Sequence, residues 1–170
     1  MGRAMLSLRL NSLPDDWLEL FKPYLESKKG QGIITKIDGY LEVQRDNFYP
    51  VADRILASFH SVSVERVKVV IVGHFPYPNP VHVTGLPFSN PINIPTAKSV
   101  ENIFRAILRD IGEIMPIHGN LEYLPPQGVL LINRKFTAGP RYNDFPKGHS
   151  NIGWEHFSAA VVHLLSKTAL

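Results

Sequence analysis

VKVVIVGHFPYPNP, residues 67–80, joins a short apolar run to a proline-rich loop. The run is nearly continuous in β-branched residues, which predicts a strand buried on both faces. The strand ends at Gly73, and the three prolines that follow exclude regular structure from the loop. A second apolar run at 128–133 predicts another buried strand, again with polar residues after it.

Helical spacing of apolar residues dominates the rest of the sequence. Helices are predicted at 15–28, 33–45, 52–59, 99–111 and 154–166, with Pro23 dividing the first of them into two pieces. Ser99 and Gly112 are predicted to cap the fourth helix. Strands that are separated by helices pair in parallel through crossover connections, so the fold class is α/β. Ligands of such sheets bind beyond the carboxyl ends of the strands, which directs attention to the segments after Val72 and Ile132.

The composition is typical of a folded protein without disulfides. The 170 residues are 44% hydrophobic and carry a formal net charge of +3. The absence of cysteine excludes disulfides, iron–sulfur clusters, Cys-ligated zinc and a thiol nucleophile. No apolar run approaches the ~20 residues of a membrane-spanning helix. We expect an intracellular protein, in the nucleus, the cytoplasm or the mitochondrion. We expect one domain over 1–170, with N-terminal helices at 15–66, a partial α/β core at 67–170, and a flexible segment or targeting remnant at 1–14.

Aromatic, amide and basic side chains follow the two predicted strands. The first loop carries His74, Phe75 and Tyr77, with Phe88 further on, and the second carries Asn133, Arg134, Lys135, Arg141, Lys147 and His149. Such groups are able to stack a nucleobase and hold phosphates, which favours nucleic-acid binding. The alternative interpretation is that Phe75 and Phe88 close the top of the core while the cations are solvated.

Metal and cofactor sites are not predicted. His149, His156 and His163 recur every seven residues, whereas metal-binding pairs on a helix are three or four residues apart. The sequence also lacks the glycine-rich phosphate motifs of nucleotide cofactors and the serine elbow of hydrolases. No acidic residue follows the first strand before Glu101, so a carboxylate pair for glycosidic chemistry is missing there.

Several segments resemble the uracil-DNA glycosylases of the family-1 type. The loop at 73–80 is similar to the family's water-activating loop GQDPYHGP, and GLPFS at 85–89 is similar to its GL-x-FS. SVENIF at 99–104, the segment 119–133 and HSNIGWE at 149–155 resemble SLKNIF, GDLSPWAKQGVLLLN and HKGIGWE, and Tyr49-Pro50 resembles a YPP segment. The resemblance runs from about Trp17 onward and implies a three-layer α/β/α uracil-DNA-glycosylase-like fold, here with a shortened parallel sheet.

The resemblance also implies roles for individual residues. In a base-flipping repair enzyme, Tyr77 would exclude a thymine methyl group, Phe88 would stack on uracil and Asn133 would bond its polar edge. His74 and Phe75 complete the implied base pocket. Contacts to the DNA backbone are implied for three further residues, Pro50, Ser99 and His149.

The chain departs from the family where the chemistry is expected. Phe75 stands in place of the aspartate that positions water and stabilises the cationic sugar, His74 replaces a glutamine and Pro78 replaces a histidine. The family's later half, with two strands, the histidine that stabilises the uracil anion and a leucine loop that wedges into DNA, has no counterpart in the sequence. General-base and electrostatic contributions are each worth orders of magnitude in rate.

We therefore expect a catalytically inactive protein that serves as a structural or regulatory subunit of a nucleic-acid-associated assembly. A protein partner or a second copy would cover the incomplete sheet, since a half-sheet exposes an edge and an apolar face. One alternative is an active glycosylase that hydrolyses the N-glycosidic bond of deoxyuridine, with His74 as the substitute for the acid or with the base supplied by an associated chain. Another is a non-catalytic module that binds DNA or RNA in the same pocket.

Overall fold

The structure, a computed structural model, describes residues 6–45, 47–77, 79–112, 116–139 and 149–168. The described residues form the helices and strands α1 Leu6–Leu10, α2 Asp15–Glu26, α3 Lys28–Gln44, α4 Ala57–Ser61, β1 Val69–Gly73, α5 Lys98–Ile111, β2 Val129–Asn133 and α6 Trp154–Thr168. Single 3₁₀ turns lie at Ala52–Arg54, Val64–Arg66, Pro80–His82 and Pro125–Gln127. The helix predicted at 52–59 is thus divided between a turn and α4. Among the described helices, none combines the length and the apolar character that crossing a membrane requires.

The two strands pair in parallel, as the sequence predicts. Their register runs from Val69 opposite Val129 to Gly73 opposite Asn133. Two backbone bonds continue the pairing past the strands, with Arg134 N donating to Gly73 O at 2.8 Å and Lys135 N to His74 O at 3.0 Å. The loops that follow the strands therefore start side by side.

Helices cover both faces of this sheet because side chains alternate along a strand. Leu130 and Ile132 of β2 belong to a core formed with α2, α3 and α6. Leu131 points to the other face and packs with Val100 and Phe104 of α5. This arrangement confirms the predicted α/β fold, with helical layers on either side of a short parallel sheet.

The expectation that β1 is buried on both faces is wrong. Val69 and Val72 are each about half exposed, whereas the central residues of β2 are buried. Among the described residues, β1 pairs on one side only, with β2. No described strand lies along the other edge of β1. The side chains of Val69 and Val72 are therefore covered by other residues over only about half of their surface.

Aromatic packing explains why α2 runs through Pro23 as one helix, where the sequence predicts two pieces. Trp17 and Phe21 are buried, and their ring centroids lie 4.8 and 5.3 Å from that of Phe59. Trp17 Nε1 also donates to Val62 O at 2.8 Å. A proline inside a helix costs about 3 kcal/mol, whereas each large apolar side chain contributes about 1.5–3 kcal/mol on burial. Tertiary packing therefore outweighs the local preference.

The N-terminal residues of the described chain are part of the core. Leu6, Leu10 and Leu13 are at most 5% exposed. The Leu6 and Ser7 backbone N–H groups donate to the carboxylate of Asp38 in α3, which satisfies the free amides of the short helix α1. The expectation of a flexible segment at 1–14 is therefore wrong for 6–13. Residues 1–5 lie outside the described residues, and a targeting role stays a prediction.

The start of α5 also differs from the prediction. The helix begins at Lys98, and Ala97 precedes it without a side-chain cap. Ser99 is not the cap because it lies inside the first turn, where its Oγ is 3.1 Å from the Tyr77 hydroxyl. The predicted C-cap is confirmed, since Gly112 ends the helix in the left-handed conformation with φ of 74°.

Candidate functional site

A cavity opens where the carboxyl ends of β1 and β2 meet the loops that follow them. Its volume is about 160 Å³. An engineered cavity of about 150 Å³ binds benzene, so one six-membered ring fits this space. The lining residues are Pro50, Ile55, Ser58, His74, Phe75, Pro76, Tyr77, Val83, Gly85, Leu86, Pro87, Phe88, Ser89, Ser99, Asn133 and Phe136.

Asn133 brings an unpaired amide to this cavity. It is the last residue of β2, and only 8% of its surface is exposed. Its side chain makes no hydrogen bond to another described residue, and its amide is accessible from the cavity that it lines. An amide offers a donor and an acceptor side by side. The arrangement suits a planar ligand whose edge carries both kinds of group.

Gly73 leaves the space that Asn133 and Phe88 occupy. The parallel register places Gly73 directly opposite Asn133. A Cβ atom at position 73 would collide with Asn133 Oδ1 and would lie 3.3 Å from the Phe88 ring. The glycine is therefore required by a close approach of two side chains, and these are the side chains that form the cavity wall.

The substitution Gly73→Ala is expected to lower the free energy of unfolding by about 1–3 kcal/mol, because it overpacks the cavity wall. Urea unfolding measures the change. Gly39→Ala is the matched control, since a Cβ atom at that position in α3 meets nothing within 4 Å. The control is expected to gain about 0.5–1 kcal/mol through lower backbone entropy in the unfolded chain. A Gly73→Ala variant as stable as the parent would contradict the close approach.

The Tyr77 hydroxyl contacts residues on two sides of the cavity. It donates to the Phe88 carbonyl oxygen at 2.5 Å and lies 3.1 Å from Ser99 Oγ. Burial raises the pKa of Tyr77 above its usual value of 10, so the hydroxyl stays protonated and able to donate. Phe88 has a φ of 64°, a left-handed conformation that non-glycine residues rarely adopt. The bond from Tyr77 holds this turn, and with it the Phe88 ring, at the cavity.

A cation lies behind the loop that follows β1. Lys135 Nζ is 5.9 Å from the centroid of the Phe75 ring and 3.5 Å from His74 Nε2. The ammonium group donates to Ser150 Oγ at 2.8 Å and lies 3.9 Å from Glu155 Oε1, and 11% of the lysine side chain is exposed. Among the described residues, no Asp or Glu lines the cavity. The cavity wall therefore consists of apolar side chains and the Asn133 amide, and the positive charge of Lys135 lies next to the Phe75 ring.

The structure brings most of the predicted site residues together. All five residues of the implied base pocket line the cavity, and so do Pro50 and Ser99. Phe75 is part of the cavity wall. Phe88 also packs against the apolar core next to α5, so its ring both stabilises the fold and forms part of the cavity wall. Three residues named from the sequence, Pro78, Arg141 and Lys147, lie outside the described residues.

His149 is buried away from the cavity. It is 7% exposed, its Nδ1 lies 2.9 Å from Thr137 Oγ1, and its ring centroid is 4.8 Å from that of Tyr40. Burial lowers the pKa of His149 from the usual 6.5 to about 4, so the ring is neutral at pH 7. A buried neutral ring is unsuited to pairing with a phosphate. The expected contact of His149 with the DNA backbone does not fit this placement.

Stability is expected to fall as the pH is lowered from 6.5 to 4, because unfolding lets His149 take up a proton. The pKa of His149 is about 4 in the folded protein and about 6.5 in an unfolded chain. Between these values the unfolded state binds more protons, so the free energy of unfolding rises with pH. The expected loss at pH 4 is about 2–3 kcal/mol.

Urea unfolding at pH 7.5, 5.5 and 4.5 measures this dependence. The His149→Gln variant is expected to have a flatter profile than the parent. His156→Gln, which changes an exposed histidine of α6, is the control and should keep the parent's profile. If His149→Gln keeps that profile as well, the buried imidazole is not its cause.

Sequence reasoning did not single out two polar residues of the cavity wall, Ser58 and Ser89. Ser58 lies in α4 and is 2% exposed. Within the helix predicted at 52–59, Ser58 lies three residues from the apolar Ile55, and a polar residue on an apolar face is the signal that could have found it. Among the described residues, no group of three or more His, Cys, Asp or Glu side chains is placed to hold a metal ion.

Comparisons with known proteins agree with the fold. No protein-family model matches the sequence. The chain is 34% identical over 155 residues to a uracil-DNA glycosylase of Desulfitobacterium hafniense, a match that covers 91% of the chain and 67% of the relative. A uracil-DNA glycosylase of Campylobacter fetus is also 34% identical over 155 residues, with 91% and 65% covered. The crystal structure of mimivirus uracil-DNA glycosylase superposes with a TM-score of 0.81 at 26% identity, covering 96% of this chain and 60% of that one.

The chain spans about half to two thirds of the length of the curated relatives it matches. Within that span, the sequence match and the structural match each extend over more than nine tenths of the chain. The motifs that surround the cavity, the parallel register of its two strands and these relatives agree. The chain belongs to the uracil-DNA glycosylase family.

Proposed function

We propose that this chain takes a uracil base flipped out of DNA into the cavity and hydrolyses its N-glycosidic bond. The observation that carries the proposal is the unpaired Asn133 amide in a cavity the size of one six-membered ring. Relatives at 31–38% identity bear the name uracil-DNA glycosylase, which supports the same substrate and reaction.

Base recognition would rest on three side chains. Uracil carries carbonyl oxygens and an N–H group, and the Asn133 amide is able to bond one of each. The Phe88 ring offers a stacking surface. Tyr77, held by Phe88 O and Ser99, has the position that in the family excludes the methyl group of thymine. This set favours uracil over thymine.

Hydrolysis needs a water molecule held against the sugar carbon that carries the base. Phe75 has no group that accepts a proton, and His74 supplies the imidazole of the cavity wall. We assign the positioning of this water to His74. A well-placed general base contributes about 10²- to 10⁴-fold in rate. We therefore expect this chain to release uracil more slowly than an enzyme that has a carboxylate at position 75.

A second candidate is uracil binding without hydrolysis. One observation favours it, namely that the apolar Phe75 ring with Lys135 behind it stands where the family has an acid. Such a protein would serve as the structural or regulatory subunit that the sequence predicts, and its inactivity stays a prediction. A protein partner or a second copy that covers the open side of β1 stays a prediction as well.

Uracil release from a single-stranded oligonucleotide with one deoxyuridine separates the two candidates. We expect uracil to be released from the deoxyuridine strand and no base to be released from a thymidine oligonucleotide. The His74→Ala variant is expected to bind the deoxyuridine strand as tightly as the parent but to release no uracil. Tight binding of the deoxyuridine strand with no release over hours at micromolar protein would establish the second candidate instead. Equal affinity for the deoxyuridine and thymidine strands would exclude both.

A further inference from the structure

A pocket rich in cationic side chains lies between α3 and the start of α6. Its volume is about 580 Å³. Its described lining residues are Lys29, Ile33, Lys36, Arg134, Asn151, Gly153, Glu155 and His156, and none of them lines the cavity at the strand ends. Because lysine, arginine and histidine make up half of this set, we call it the basic pocket.

Close packing of α3 against the start of α6 fixes the framework of the basic pocket. Ile33 is four residues after Lys29 and three before Lys36, so the three side chains lie on one face of α3. Gly153 precedes α6 with a φ of 121°, a conformation that favours glycine. A Cβ atom at this position would lie 3.0 Å from Ile33 Cγ2. The glycine therefore allows the two elements to approach, and both lysines are attached to a framework that packing holds in place.

The positive charge of the basic pocket is largely uncompensated. Lys29, Lys36 and Arg134 are exposed, and within the described part of the chain none of these side chains pairs with a carboxylate. Glu155 is the single acidic residue of the described lining, and its Oε1 lies 3.9 Å from Nζ of Lys135, which is outside this lining. Three like charges around one hollow repel each other, and an anionic ligand offsets that repulsion.

The spacing of the cations favours a ligand with several negative charges. Lys29 and Lys36 are seven residues apart, which corresponds to about 10 Å along the helix axis. A chain of phosphate groups extends over much of such a distance, whereas one phosphate ion contacts only part of the set. The planar guanidinium of Arg134 is suited to bind two oxygens of a phosphate group at once.

Two other kinds of polyanion fit the basic pocket less well. Single-stranded nucleic acids are held by bases stacked on aromatic rings as well as by their phosphates. The described lining residues include no Phe, Tyr or Trp. An acidic peptide would bring its carboxylates on separate side chains, and the ordering of each costs conformational entropy. A compact chain of phosphate groups avoids both disadvantages.

We propose that the basic pocket binds the phosphate chain of a small ligand, either inorganic triphosphate or a nucleoside triphosphate. Lys29, Lys36 and Arg134 contact the phosphate groups, and the affinity does not require a particular base. The pocket and the cavity have no lining residue in common, so this inference goes beyond the function proposed for the cavity and does not rest on it.

Isothermal titration calorimetry in magnesium-free buffer at low ionic strength tests the proposal. The ligands are inorganic triphosphate, adenosine triphosphate and inorganic phosphate. We expect both triphosphates to bind about 10-fold more tightly than phosphate, because phosphate contacts only part of the cation set. The Lys29→Gln/Lys36→Gln variant is expected to bind inorganic triphosphate about 5- to 30-fold more weakly than the parent.

The matched control is Lys22→Gln/Lys167→Gln. It removes the same charge from two exposed lysines that lie outside the described lining of the basic pocket. We expect the control to bind triphosphate as the parent does. An equal loss of affinity in both double variants would overturn the proposal, because attraction by the net charge would then explain the binding.

The remaining outcomes identify the source of the phosphate chain or overturn the site. Affinity for inorganic triphosphate that equals or exceeds that for adenosine triphosphate would identify the chain alone as the ligand. Tighter binding of adenosine triphosphate would assign a further contact to its nucleoside. Absence of binding at millimolar triphosphate would overturn the proposal. A thymidine oligonucleotide that binds the parent but not Lys29→Gln/Lys36→Gln, and that triphosphate does not displace, would identify a nucleic-acid surface and overturn it as well.

Discussion

An aspartate in place of Phe75 is expected to raise the rate of uracil release about 100-fold. The new carboxylate would stand at the cavity wall, where it would position water and offset the positive charge that develops on the sugar as the base departs. Lys135, whose Nζ lies 5.9 Å from the centroid of the present ring, would keep the carboxylate ionised. Single-turnover rates on a deoxyuridine oligonucleotide compare the variant with the parent.

The Phe75→Asn variant is the matched control for this gain. Its side chain has nearly the size of aspartate but carries no charge, so it tests removal of the ring alone. We expect its rate to stay near that of the parent. An equal gain in both variants would show that opening the wall, and not the carboxylate, accelerates release. A Phe75→Asp variant that binds deoxyuridine normally and shows no gain would also contradict the prediction.

The Asn133→Ala variant is expected to bind a deoxyuridine strand about 10- to 100-fold more weakly than the parent, while its free energy of unfolding does not decrease. The loss of affinity corresponds to one or two hydrogen bonds from the amide to the base. Stability is retained because the amide makes no hydrogen bond to another described residue, so its removal breaks none in the fold. Anisotropy titration and urea unfolding measure the two effects.

Asn90→Ala provides the structural comparison for this variant. Asn90 is fully buried, its Nδ2 donates to Ile94 O at 3.2 Å, and its Oδ1 accepts from Ala97 N at 3.4 Å. Its replacement leaves backbone groups unpaired and is expected to cost about 1–3 kcal/mol of stability. If Asn133→Ala lowers the free energy of unfolding as much as Asn90→Ala does, then the Asn133 amide stabilises the fold and is not free to bind a ligand.

The strand pair and the place of the site follow from local patterns. Short apolar runs at β1 and β2, separated by a strongly amphipathic helix, favour a parallel pair with a crossover. Parallel strands bring their carboxyl ends to one edge, and this rule alone predicts that the loop with Tyr77 lies beside Asn133. Both residues line the observed cavity.

The errors arise where contacts distant in sequence outweigh local preference. Leu6 and Leu10 lie in a segment without a strong helical pattern, yet the Asp38 carboxylate and the core hold them in place. Pro23 does not interrupt α2, because Trp17 and Phe21 before it are buried in the core and Tyr24 after it packs against that core. His149 has the residue type of a phosphate ligand, but Tyr40 and Thr137 surround it.

The sequence by itself determined the fold class, the pair of strands and the set of side chains at their ends, because periodicity and strand direction are properties of short segments. The resemblance to the family's loop also implies that Phe75 stands at the position of its aspartate. Only the tertiary structure decided that Phe75 lines a cavity together with Asn133, and that the Asn133 amide bonds no other described residue. The physical reason is that empty space and unmet hydrogen bonds belong to several chain segments at once, so no single stretch of sequence encodes them.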